Sequence, residues 1–401
     1  MRRSVLAAAA AALCLPAVGL DAAPAASAAS SSTVRLAPGV TLTHSVFRLK
    51  SGGHSYPERV WTLRARLSAH LQLDAASPRN VIGAARQTTL TLGRQERAVA
   101  GINGDTFYFP DAAAVPRAGI THGGRVLKSA LVGKNAVLYA TSSGRVAIGD
   151  PGFRGRISTT DRTGKARSFG ITSRNSIENA ANGGMAFVDR AVLTSSLRKA
   201  PQRRTSCAVV RLAERGGDSY RVTSIAAKAT KYTRAAAGTH ALVSCASSTA
   251  GWIRSALRTG QDLTLTAGYR VRGITTLLSG VRQLIRGGKR FTDRTGLNVY
   301  GNSMKPETFG CVLRDARTVL LGVVEGDRSG RAGMTYAQLT TYLLARKCRS
   351  ALVFDGSGSS TLVAQRPAKH LAVQNLTTAS DPTDKGKRLR KVVNGLFLVR
   401  R

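Results

Sequence analysis

The stretch 319–361 reads VLLGVVEGDRSGRAGMTYAQLTTYLLARKCRSALVFDGSGSST. Its two apolar runs, 319–324 and 351–354, are too short for helices, and each ends in an acidic residue followed by glycine. That is the pattern of a buried strand leaving a sheet. Between the runs, Thr335 and Gln338 stand at capping-box spacing, and Leu339, Leu343 and Leu344 follow at helical spacing, which predicts a helix over 335–347. The unit is strand, acidic loop, helix, strand, acidic glycine loop. It sets Glu325 and Asp355 at strand ends, where a rigid sheet holds a side chain yet leaves it open to solvent.

Working outward, residues 60–65, 136–140 and 207–212 alternate apolar and polar positions as strands do, and 392–399 read as a last strand behind a basic loop, 381–391. Helical pattern is sparse in the middle of the chain. No internal repeat or long linker separates units. The expected class is α+β, a mixed, strand-rich sheet with a few packed helices. The expected organisation is a leader over 1–28, an N-terminal β-rich segment with a polar lead-in over 29–97, and the main domain over 98–401.

The leader reads as a secretory signal peptide. Arg2 and Arg3 supply the positive start, residues 5–20 are apolar apart from Pro16 and Gly19, and Ala26-Ser27-Ala28 fits a small-x-small cleavage site. About 16 apolar residues broken by proline fall short of the roughly 20 that cross a bilayer, so a secreted product with no membrane span is expected. Of five cysteines, Cys14 lies in the leader; the other four allow three pairings, among which sequence alone does not choose. Pairing within each half of the chain favours Cys207 with Cys245 and Cys311 with Cys348, bonds that persist in an oxidising compartment. No C-x-x-C or His-rich spacing occurs, so no cofactor is predicted and any metal requirement stays open.

Lys and Arg number 60 against 21 Asp and Glu, a formal charge of +39. Arginine supplies 46 of the 60 and alanine and glycine are abundant, as in a GC-rich bacterial coding sequence. A hydrophobic content of 43% excludes wholesale disorder and collagen-like repeats. The basic residues are dispersed, not clustered in runs, and aromatics are few, which speaks against a nucleic-acid partner and leaves an anionic glycan as the better match.

Four segments can carry chemistry. In 101–109 (GINGDTFYF), two glycines around Asn103 and Asp105 allow a tight turn that presents an amide and a carboxylate together, ahead of rings on which a sugar stacks; a hairpin turn with an apolar anchor is the plain alternative. In 355–361 (DGSGSST), small residues free backbone N–H groups to converge on an anion, with Ser and Thr hydroxyls as further donors. That loop is neither a dinucleotide fingerprint nor a G-x-S-x-G elbow, since both frames are missing. In 325–334, carboxylates beside Arg328 either orient one another or form an ordinary surface ion pair. Residues 302–311 (NSMKPETFGC) form a polar turn entering a strand.

The order of these segments resembles the phosphodiester glycosidase family. Its Asn-Gly-Asp turn is similar to 102–107 (INGDTF), and its next strand pair to 175–189. Its Leu-Val-Arg-Asp-Gly-Lys segment is echoed by 283–289, its glycine-rich acidic block by 325–339, its Asp-Gly-Gly-Gly-Ser loop by 355–361 and its terminal Arg-x-Val-x-Asn-x-Leu by 390–396. The likeness covers residue 98 to the C-terminal end. Three positions depart from it. Glu307 in Lys305-Pro306-Glu307-Thr308-Phe309 stands where the family carries an arginine, Ser357 stands for a glycine, and Glu325-Gly326-Asp327-Arg328 replaces Asp-Gly-Arg.

The resemblance implies an exported hydrolase, a glycosidase cleaving the bond from a sugar's anomeric carbon to a phosphodiester. GlcNAc-1-phosphodiester-like substrates in a cell-wall or extracellular polysaccharide are the implied targets. On that reading Asp355 faces the anomeric centre with Asp105 or Glu325 as partner, and Asn103 and Thr308 orient sugar hydroxyls or phosphate. Gly356, Ser357, Gly358, Ser359 and Ser360 cradle the phosphate, with Arg328 among the cations. The exchange at Glu307 removes a positive charge from the phosphate contact, which Lys305, Arg282 or Arg328 would have to supply. The alternative is a binder of anionic cell-wall polymers that keeps the scaffold without the activity.

Overall fold

The computed structural model describes residues 28–51, 54–107, 115–130, 136–161, 163–176, 184–190, 192, 207–229, 239–291, 303–326, 333–365, 370–378 and 389–401. Residues 1–27 of the leader 1–28, Arg328 and residues 381–388 of the basic loop 381–391 lie outside these residues.

The stretch that opened the sequence analysis builds the centre of an eight-stranded sheet. Its order runs Ala28–Ala37, Val40–Ser51, His54–Arg66, Thr318–Val324, Glu307–Val312, Ser350–Val353, Arg282–Arg286, Lys289–Arg290. Every neighbouring pair is antiparallel. The N-terminal strands therefore extend the same sheet as the C-terminal ones. The polar lead-in becomes its edge strand, where serines and threonines can face water. Thr318–Val324 and Glu307–Val312 are buried along their whole length, which accounts for their unbroken apolar character.

The helix predicted over 335–347 spans Tyr336–Ala345, and its capping box is present: Thr335 Oγ1 accepts from the Gln338 N–H, and the Thr335 N–H donates to Gln338 Oε1 at 2.9 Å. Its Leu339 and Leu343 pack against Phe309, Val353 and Ile285 on one face of the sheet. The opposite face, with Leu352, Phe354 and Leu321, joins a larger core shared with a five-stranded sheet of order Leu371–Val373, Leu362–Gln365, Ala100–Asn103, Gly395–Arg400, Leu71–Ala76. Residues from 120 to 279 build a second five-stranded sheet and, with the strands between 153 and 269, a second eight-stranded one with its own core around Phe187, Val210 and Leu265.

Strand dominance is as expected, but the α+β class needs correction: among the described residues there are 28 strands and three α-helices, Thr89–Gln95, Ser247–Ala256 and Tyr336–Ala345, so the fold is mostly β. Cys207 bonds Cys245 and Cys311 bonds Cys348, the pairing favoured from sequence. No helix among the described residues is long and apolar enough to cross a membrane.

Candidate active site

Three loops at strand ends meet at one place. Asn103 ends the strand Ala100–Asn103 and is wholly buried. Its Oδ1 accepts from the Thr308 hydroxyl at 2.8 Å and the Thr361 N–H at 2.9 Å, while its Nδ2 donates to the Asp355 carbonyl at 2.8 Å. Asn103 and Thr308 thus spend their side chains on the framework. They position the loops that carry the acids, a role different from the substrate contact expected of them.

Asp105, two residues on, is 1% exposed. Its backbone N–H donates to Asn394 Oδ1 at 2.7 Å, and its Oδ2 accepts from the Ala118 N–H at 2.6 Å. Burial lifts its carboxyl to about 7, the Ala118 N–H and the Lys128 ammonium pull the other way, and the charge of Asp355 adds to the lift. Asp355 is held from below, its N–H donating to the Gly104 carbonyl at 2.8 Å, and the residue is half-buried. Burial raises that carboxyl to about 6, against a Ser359 hydroxyl and the cations Arg390, Lys305 and Arg117. The structure therefore brings Asp105 and Asp355 together within a rim of positive charge.

Glu325 goes elsewhere. It ends the strand Thr318–Val324, and its Oε1 accepts from the Trp61 indole N–H and the Leu376 N–H, both at 2.8 Å. Its charge acts on Glu58, a carboxyl that burial pushes to about 7 and that accepts from the Gly333 N–H at 3.0 Å. Glu58 was not legible as a site residue because it belongs to the N-terminal strand His54–Arg66, far away in sequence.

The third carboxyl of the cluster is Glu307, 0% exposed at the start of Glu307–Val312. Its Oε1 lies 3.3 Å from Lys305 Nζ, and its Oε2 has no hydrogen-bond partner among the described residues. Burial raises it to about 8; Lys305 opposes and Asp355 reinforces that rise. At neutral pH the charge reversal at this position is therefore mostly muted, because the buried acid holds its proton.

The glycine loop works by absence of side chains. A Cβ on Gly356 would sit 2.7 Å from Glu307 Oε2, and one on Gly358 would sit 2.6 Å from an Arg390 guanidinium nitrogen. These two glycines make room for an acid and a cation against the backbone. The loop is less of an amide cradle than the sequence suggested. The N–H groups of Asp355, Ser357, Ser359, Ser360 and Thr361 bond Gly104, Pro306, Gly356, Ser357 and Asn103 in turn. The Ser360 hydroxyl has no partner among the described residues. Ser359 Oγ accepts from Arg390 at 3.4 Å. Arg390 and Asn394 come from the terminal motif 390–396, and Asn394 Nδ2, wholly buried, also lacks a partner among the described residues. The polar residues flanking that short apolar strand were the signal available in the sequence.

Outside this site, Asp74, Glu96 and His122 offer metal-type ligand atoms within 4.8 Å of one another. They already satisfy each other: His122 Nδ1 lies 3.1 Å from Asp74 Oδ1, Asn80 bridges to Glu96 at 2.9 Å, and Arg401 pairs with Asp74 at 2.8 Å.

Comparison with known proteins follows the same lines. Residues 218–399 match the family model described as phosphodiester glycosidase. No curated protein sequence matches. Among solved structures, a hypothetical protein from Synechocystis is similar at 14% identity and a TM-score of 0.67, over 93% of this chain and 64% of that one. This chain thus spans just under two thirds of that protein's length. A Burkholderia pseudomallei protein named as exported is similar at 15% identity and a TM-score of 0.63, over 92% and 96%. The catalytic domain of zebrafish N-acetylglucosamine-1-phosphodiester alpha-N-acetylglucosaminidase, auto-inhibited by its pro-peptide, is similar at 11% identity and a TM-score of 0.50, over 93% and 88%. At such identities the likeness is one of fold.

Proposed function

We propose that this chain is an exported bacterial hydrolase that cleaves the bond between the anomeric carbon of a sugar and a phosphodiester, with GlcNAc-1-phosphodiester-like units of a wall or extracellular polysaccharide as substrate. The observation that carries this reading is the meeting of Asp105 and Asp355, whose charge lifts the Asp105 carboxyl, under Arg117, Lys128, Lys305 and Arg390. The family match over 218–399, the activity in the name of the zebrafish relative, the two disulfides and the exported Burkholderia relative support it.

Breaking the bond from C1 to the phosphate oxygen sends the electron pair to the phosphate and leaves positive charge on the sugar ring. Asp355, the partly open acid, is ionised at neutral pH and faces that charge, as nucleophile or as electrostatic partner. Asp105, near 7, is tuned to exchange a proton with water or substrate at neutral pH. It suits the partner role better than Glu325, whose Oε1 is held by Trp61 and Leu376. Arg390 and Lys305, with the Ser360 hydroxyl, would hold the departing phosphate.

The test is release of free sugar from UDP-GlcNAc. Asp355→Asn should lower turnover by at least about 10³-fold while the unfolding temperature stays near wild type; wild-type turnover in that variant would remove Asp355 from the reaction. The alternative, a binder of anionic polymers, is favoured by Arg154 and Arg156, which project from the exposed face of Phe153–Thr160. Salt-sensitive binding to a polyphosphate with no turnover by the wild-type chain would select it.

A further inference from the structure

Three strands at one edge of the second eight-stranded sheet, Ala166–Ile171, Phe153–Thr160 and Asp262–Tyr269, are antiparallel neighbours. Their alternation turns Phe153, Ile157, Leu263 and Leu265 into the core and leaves the other face to solvent. Register sets that open face residue by residue. Arg154 stands beside Gly268, Arg156 between Gly170 and Thr266, and Ser158 between Ser168 and Thr264. Both arginines are exposed, and neither has an ion-pair or hydrogen-bond partner among the described residues. A Cβ on Gly170 or Gly268 would meet nothing within 4 Å, so the space beside the two guanidinium groups is open. The three strands line a groove of about 750 Å³, room for a stretch of polymer where one ion would be lost.

Charge, spacing and surroundings name the occupant. Among the described residues no acid lines the groove, and those at its margins are engaged: Asp161 by Arg167 and Asp262 by Arg221, each at 2.7 Å, and Asp150 by the Gly152 N–H at 2.8 Å. Positions i and i+2 of a strand lie roughly 6.6–6.8 Å apart, so the arginines form a row that meets successive charges along a chain. A single small anion calls instead for donors that converge. Guanidinium groups take phosphate oxygens two at a time, and the flanking serine and threonine hydroxyls suit a hydroxyl-rich chain. No ring stands on the solvent-facing positions, because Phe169 and Tyr269 pack against the core. Bases of a nucleic-acid strand call for such rings, and a chain of phosphodiesters and polyols does not.

We propose that this face docks the phosphodiester backbone of a polymeric, hydroxyl-rich substrate. The proposal rests on the function given above for the polymer's being a substrate, and it deepens that reading: the chain grips a polymer on one sheet and cuts it with acids carried by others. The groove shares no residue with the site of Asp105 and Asp355, so grip and cleavage can be measured apart.

The test is binding of labelled poly(glycerol phosphate), followed by fluorescence anisotropy between about 50 and 200 mM salt. Arg154→Ser/Arg156→Ser is expected to weaken binding at least about tenfold at the low-salt end and to reduce the slope of log affinity on log salt by roughly 1.4–1.8, the share of two phosphate contacts. Arg35→Ser/Arg64→Ser removes the same charge from exposed positions in one row of the first sheet, and it is expected to weaken binding by under about threefold. All four arginines are exposed, so both pairs should unfold near the wild-type temperature. Equal losses in the two pairs would mean that net charge alone holds the polymer and would overturn the proposal, as would an unchanged affinity in the first pair. Tighter binding of single-stranded oligothymidylate of matched length, dependent on Arg154 and Arg156, would overturn the choice of partner. Sugar release from UDP-GlcNAc reports on the acids separately. Polymer binding at this face without release would retire the hydrolase reading and leave the docking face, and release with no loss of polymer affinity in the first pair would do the reverse.

Discussion

Ser357 and Glu307 are the two residues at which this chain differs most informatively from the family pattern. Ser357 holds φ at 54°, in the left-handed region that favours glycine, while its N–H bonds the Pro306 carbonyl at 2.7 Å. A side chain there costs about 1–2 kcal/mol against glycine, part of which is returned by the lower entropy of the unfolded chain. Ser357→Gly is expected to stabilise the protein by about 0.5–1 kcal/mol, read as a higher denaturation midpoint in urea. A lower midpoint would mean that the serine hydroxyl makes up for the strain. Glu307 was legible as a departure, because the pattern Lys-Pro-Glu-Thr-Phe is local. That it is buried against Gly356 and feels the charge of Asp355 was not, since both depend on how strands distant in sequence come together.

At the scale of elements, the helix Tyr336–Ala345 was legible because its cap and its leucines lie within one short window. The helices Thr89–Gln95 and Ser247–Ala256 were not. Their serines, threonines and internal glycine carry little helical preference, and packing of Leu92 and Ile253 into the cores decides them. The bond from Cys311 to Cys348 ties Glu307–Val312, the strand that carries Glu307, to the segment between this helix and Ser350–Val353. With its ends 37 positions apart, it removes freedom mainly from the unfolded chain. Replacing both cysteines by alanine is expected to cost about 2–4 kcal/mol, measured by chemical denaturation under oxidising conditions. A variant as stable as wild type would mean that the sheet alone holds the two segments in register.

At the scale of the whole molecule, the charge of +39 sits beside a set of buried acids whose pKa values burial raises. Glu307, Asp105 and Glu58 are raised to about 8, 7 and 7, chiefly by burial, and His122 is raised by its hydrogen bond to Asp74. A group with a raised folded-state value contributes stability that is present below its unfolded value and is lost as pH climbs through the folded one. The sign is the same for all four. The unfolding temperature is therefore expected to fall between about pH 5 and pH 8.5, in enough salt to screen the net charge, and to fall less steeply in Glu307→Gln. A profile that rises across this range would contradict the burial of these acids in the folded protein.

The linear chain by itself determined the strand-rich character, the capped helix, the favoured cysteine partners and the acidic glycine loops, because each depends on neighbours within a few residues or on a few strongly typed ones. Tertiary structure alone decided that the class is mostly β, that Asn103 and Thr308 brace the loops, that Glu325 turns toward Trp61 and Glu58, and that Glu307 joins Asp355. These outcomes depend on which strands pair and in what register. Register is set by the burial of whole sheet faces, a condition that no single stretch of the chain contains.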